Sequence, residues 1–168
     1  MKNLLIVFLI FINTCYAQTK EETQEWISEK INYYSYSDDV KVFHNYTITY
    51  DESNMIIKSN CRTVTGMGSG TGTGTRAESL DRESDIIYYI PIKDLYKIRF
   101  ESKAFNVWLY LKTKTNSIKV DKVVNEMTNH VEILLERSIL QDDMTNRMDK
   151  AFTNLIKLYG GSVGLEKF

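Results

Sequence analysis

The feature that most limits what this chain can become is an apolar beat of two that returns, segment after segment, between residues 40 and 135. Val40, Val42, His44, Tyr46, Ile48 and Tyr50 share one parity, with Lys41, Asn45, Thr47 and Thr49 on the other. The beat resumes with Met55, Ile57, Ser59 and Cys61 after the turn residues Asp51, Glu52, Ser53 and Asn54. Successive strand side chains point to opposite faces, so this alternation predicts half-buried strands joined as a hairpin. It recurs in Ile86, Tyr88, Ile90 and Ile92, where Pro91 marks a strand edge or end. Four more segments follow: Tyr96, Ile98 and Phe100; Phe105, Val107, Leu109 and Leu111; Ile118 and Val120; and Val131, Ile133 and Leu135. About seven strands result, antiparallel because each keeps one polar face.

Two segments break the rule of two. From residue 21 to 34 the spacing becomes helical, with Trp26, Ile27, Ile31 and Tyr34 near one face. Near the other end, Met144, Met148, Ala151, Phe152, Leu155 and Leu158 form a helical stripe. Asp142 and Asp143 suit its start, and Gly160 and Gly161 its end. The expected class is α+β, mainly β: a barrel or sandwich of about seven antiparallel strands, with a C-terminal capping helix and an additional N-terminal helix.

Residues 4–12 are wholly apolar, follow the single charge of Lys2, and give way to Asn13, Thr14, Cys15, Tyr16 and Ala17. That pattern predicts a secretory signal peptide over residues 1–17, cleaved after Ala17, and places the chain outside the cell or in the periplasm. The run is too short to span a membrane as a helix. Acylation at Cys15 is the weaker alternative, because Ile12, Asn13 and Thr14 fit poorly before a lipoprotein cleavage site. The rest divides into an N-terminal helix and linker at 18–37, a β domain at 38–161 and a tail at 162–168.

With 21 basic and 22 acidic residues, of which the leader removes only Lys2, the exported chain is slightly acidic. Non-specific nucleic-acid binding requires many neutralised phosphates and is not expected. Cys61 is then the only cysteine left, so no internal disulfide forms; a small buried side chain is the reading preferred over a reactive thiol.

The stretch TGMGSGTGTGTR, residues 65–76, could suggest a phosphate loop. Such loops need a helix immediately after the glycines, whereas here a short charged run follows and no Gly-Lys-Ser/Thr occurs. Residues 65–83 read as a flexible insertion between the second and third strands.

The order of a four-strand meander, a three-strand meander and a terminal helix resembles the pleckstrin-homology-like (PH-like) barrel over roughly residues 39–161. IPIKDLYKIRF and RMDKAFTNLIKLYGG also resemble segments of exported proteins from Bacteroidota-type bacteria that have no settled activity. In lipid-binding members of the PH-like superfamily, basic residues at the first hairpin hold phosphates. The turn here, with Asp51 and Glu52, would repel them, so the resemblance implies a fold and not a phosphoinositide ligand.

Catalytic and metal-binding patterns are not read from this sequence, and no cofactor is expected. His44 sits on an apolar parity and His130 at an exposed strand start; neither has ligand-spaced partners. Glu132 and Glu136 fit a solvated strand face. One surface stands out: opposite the core parity of residues 105–113 lie Trp108, Tyr110 and Lys112, near Lys97 and Arg99 if neighbouring strands pair. These five make the candidate ligand or partner site, unless the N-terminal helix covers the aromatics with Trp26, Ile27 and Ile31. The function expected is an exported, non-enzymatic binding module for a protein, peptide or small envelope ligand. The alternative is a structural or assembly component of the cell envelope, and the third reading is an enzyme with an unrecognised site.

Overall fold

The computed structural model describes residues 19–38, 42–63, 82–121 and 126–164, with the side chains of 37–38, 42–45, 61–63 and 82–84 outside that description. Residues 1–17, read above as a signal peptide, and most of the glycine-rich segment therefore lie outside the described residues, as do the side chains of His44 and Cys61. Arg82 and Glu83, assigned above to the insertion, already belong to a strand.

Among the described residues the chain is α+β, mainly β, with two helices and nine strands. Helix α1 (Lys20–Tyr33) opens on a capping box: the Thr19 hydroxyl accepts from the Glu22 N–H, and the Glu22 carboxylate accepts from the Thr19 N–H at 2.9 Å. It buries Thr23, Ile27 and Ile31. The strands follow as β1 (Ser37–Asp38), β2 (Val42–Tyr50), β3 (Asn54–Thr63), β4 (Arg82–Pro91), β5 (Leu95–Ser102), β6 (Asn106–Thr113), β7 (Ile118–Asp121), β8 (Glu126–Thr128) and β9 (His130–Glu136). Helix α2 (Met144–Leu158) comes last.

The strands form two antiparallel sheets, a large one in the order β1-β2-β3-β4-β7-β8 and a small one in the order β5-β6-β9. The arrangement is a sandwich; the sheets do not close into one barrel. Two successive meanders were expected, and the observed order differs. Pro91 ends β4 and a single 3₁₀ turn (Ile92–Asp94) carries the chain into the small sheet. The β7-β8 hairpin then returns to the large sheet, with Tyr88 opposite Val120, before β9 pairs with β6. Strands β1 and β8, of two and three residues, are too short for alternation to reveal.

The β2-β3 turn forms as the residues dictate. The Asp51 carboxylate accepts from the backbone N–H groups of Ser53 and Asn54 and from the Asn54 side chain, and these bonds hold its carboxyl below the usual range. At the far end of β3 and β4, Thr63 and Arg82 are register partners, so the glycine-rich span joins two adjacent strand ends.

The core takes Ile48, Met55, Ile57 and Ile90 from the large sheet and Val107, Leu109, Leu111, Val131 and Ile133 from the small one. Helix α2 adds Met148, Phe152, Leu155 and Ile156, all fully buried, and packs on β5, the 92–94 corner and α1. Its stripe begins at Met144 as expected and departs from expectation only at the C-terminal end. Leu158 is exposed and Ile156 is buried in its place. Asp142 and Asp143 both have left-handed backbones (φ 55° and 56°), and Asp143, in the N-cap position, makes no capping bond to the backbone. Phe105, placed above on the core parity, is 82% exposed because it sits at the β5-β6 turn, before β6 begins.

Candidate functional site

Strand β6 alternates without a break: Val107, Leu109, Leu111 and Thr113 are buried, while Asn106, Trp108, Tyr110 and Lys112 are half-buried on the opposite face. Register with both neighbours then fixes that face as rows. Lys97 of β5, Lys112 and His130 of β9 form the first; Arg99, Tyr110 and Glu132 the second; Glu101, Trp108 and Leu134 the third. Residues two apart on a strand are about 7 Å apart, so the rows step down the sheet at that interval. The five residues singled out from the sequence, Lys97, Arg99, Trp108, Tyr110 and Lys112, all lie on this one surface.

The N-terminal helix does not supply its cover. Helix α1 packs against α2 and β2, and its Trp26 lies beside Lys30 and Arg147. The Trp108 and Tyr110 rings stand side by side, centroids 6.5 Å apart with 26° between their planes. Lys103 places its ammonium 4.6 Å from the Trp108 centroid, and the Arg99 guanidinium is 5.9 Å from that of Tyr110, each worth about 0.5–1 kcal/mol at an exposed site. Arg99 also pairs with Glu101 at 2.9 Å.

Two depressions open on this face and meet at His130 and Glu132. One, of about 420 Å³, is lined by Lys97, Arg99, Tyr110 and Lys112 together with that pair. The other, of about 350 Å³, lies between the sheets and brings Tyr46, Tyr88 and Val120 of the large sheet to Trp108 and Leu134. Both volumes fall in the range of small-molecule sites. His130 Nδ1 lies 3.0 Å from the Asn129 side-chain oxygen, and its Nε2 4.0 Å from Glu132.

Two polar atoms here are buried without a hydrogen-bond partner among the described residues: the Trp108 indole nitrogen and the Asn106 side-chain oxygen. Each such group costs about 1–3 kcal/mol. Among the described residues no cluster of three His, Cys, Asp or Glu could hold a metal ion, and no helix is long and apolar enough to cross a membrane.

The sequence reading missed Glu101, His130, Glu132 and Leu134 as members of the face, and Tyr46 and Tyr88 as its neighbours. The signal for the β9 residues was present: His130, Glu132 and Leu134 alternate against Val131, Ile133 and Leu135. What was missing was the pairing of β9 with β6 across the intervening β7-β8 hairpin. No family model matches the chain, and neither a curated protein nor a solved structure matches it.

Proposed function

We propose that this is an exported, non-enzymatic binding module that recognises its ligand through the outer face of the small sheet. Export rests on the leader-like residues 1–17. The observation that carries the binding reading is the coincidence, on one surface, of two aromatic rings, three cations, two adjoining depressions and two buried polar atoms without a hydrogen-bond partner among the described residues. A sheet selected only for stability would replace or pair those atoms, and departures from local economy gather where a fold does work for a ligand.

The test is native mass spectrometry of the protein recovered from its own host, alongside Tyr110→Ala and Arg99→Gln variants whose thermal midpoints confirm folding. The reading expects a small molecule or a substoichiometric partner on the wild type, reduced about tenfold or more in both variants. It fails if the wild type carries nothing, or if both variants retain the cargo. An equimolar protein partner retained through cell-envelope fractionation would favour an assembly role instead.

A further inference from the structure

We propose that the end of this face around Lys112 is a site for a small organic anion bearing an aromatic ring, its acid group drawn to the row of basic side chains and its ring laid against Tyr110. The inference rests on the binding-module reading and adds the chemical class of the ligand.

The argument starts from register. Lys97 and Lys112 are directly opposite each other across β5 and β6, and His130 is opposite Lys112 across β9, so the middle strand's ammonium has a basic neighbour on either side. Like charges placed directly opposite one another destabilise a sheet pair. The neighbouring Arg99 adds a third permanent cation but spends part of its charge on Glu101 at 2.9 Å. Lys112 has no carboxylate within ion-pair distance among the described residues, although it is half-buried in the middle of its sheet. Lys112 therefore has no counter-charge of its own among the described residues, and a bound anion would supply one.

The second half of the ligand follows from the next row. Tyr110 lies one row, about 7 Å, from Lys112 along the strand, and both line the same depression of about 420 Å³. An acid group joined to a ring by a short linker spans that interval. The carboxylate of Glu132, opposite Tyr110, sets the polarity: it repels an anion from the second row and leaves the first row as the place for the charge.

The experiment is an amide chemical-shift titration of the full chain with three probes: 3-phenylpropanoate, its neutral counterpart 3-phenylpropan-1-ol, and inorganic phosphate. The acid should bind at least about tenfold tighter than either of the others, with shifts concentrated at residues 97–99, 110–112 and 130–132. Lys112→Met keeps the aliphatic stem and removes the charge. It should lower affinity for the acid about tenfold, to the level of the alcohol. Equal binding of acid and alcohol overturns the proposal, as does phosphate binding as tightly as the acid, since the ring would then contribute nothing. So does an unchanged affinity in Lys112→Met. If any of these occurs while the native cargo is still lost in Tyr110→Ala, the ligand class alone is wrong; if that cargo is also retained, the binding reading falls with it.

Discussion

Gly160 and Gly161 follow α2 side by side and are required for different reasons. Gly160 has φ 75°, the left-handed turn that commonly ends a helix, and a side chain added there would meet no atom within 4 Å. Alanine at 160 therefore pays only for backbone strain, about 1 kcal/mol. At Gly161 an added Cβ would lie 2.6 Å from the Lys93 carbonyl oxygen and 2.8 Å from Ile156 Cγ2, so α2 would have to move off the 92–94 corner. Forcing extra volume into such a contact costs about 1–3 kcal/mol. Urea unfolding should show Gly161→Ala as the more destabilised of the two. Asparagine, which tolerates the left-handed region, should recover most of the loss at 160 and none at 161. Equal losses at the two positions would mean that the helix end does not rest on the corner.

The helices and the seven longer strands were legible because each satisfies a local rule within its own residues. Helix α1 was read over residues 21–34 and forms at Lys20–Tyr33, since the capping box and the Ile27-Ile31 spacing are both written locally. What was not legible depended on partners far along the chain. Nothing in Ile118 and Val120 says that they return to β4, and Glu126–Thr128 becomes a strand only because β7 is there to pair with it. The two leucines near the end of α2 make the same point within a helix. Leu155 is fully buried and Leu158 is 46% exposed, although the heptad-like spacing gave them equal weight. Phe152→Ala should accordingly cost about 3–5 kcal/mol and Leu158→Ala less than about 0.5, measured as differences in unfolding free energy. A large loss at Leu158 would place the helix in a different rotation from the one described. The candidate site was half legible for the same reason: β5 and β6 are sequence neighbours, so Lys97, Arg99, Trp108, Tyr110 and Lys112 could be assembled, whereas the β9 side of the face required long-range pairing.

At the scale of the whole molecule, the two sheets are stitched along one side by residues 34–38. Glu136 N–H donates to the Tyr34 carbonyl at 2.7 Å and Tyr36 N–H to the Leu134 carbonyl at 3.2 Å, tying this segment to β9; Ser37 and Asp38 then pair with Phe43 and Val42 of β2. The stitch has a side-chain rivet. The Leu134 N–H donates to the Tyr46 hydroxyl at 3.0 Å, joining the edge of the small sheet to an inward-facing tyrosine of the large one, and the bond is buried. Tyr46→Phe keeps the ring and removes the acceptor, leaving a buried N–H whose desolvation is uncompensated, at about 1–3 kcal/mol. Because the loss falls on the seam, amide exchange should accelerate about tenfold more at Tyr36, Leu134 and Glu136 than at Met55 and Ile57 in the middle of the large sheet. Uniform acceleration would instead make the sheets one cooperative unit with no weak side. The seam also borders the site: Tyr46 and Leu134 line the same depression as Trp108. Loosening the rivet should therefore shift Trp108 emission, with Trp26→Phe as background to isolate that signal, and should weaken ligand binding before it unfolds the protein. A variant that frees Leu134 yet leaves Trp108 emission and binding untouched would show that the two sheets hold the site independently of each other.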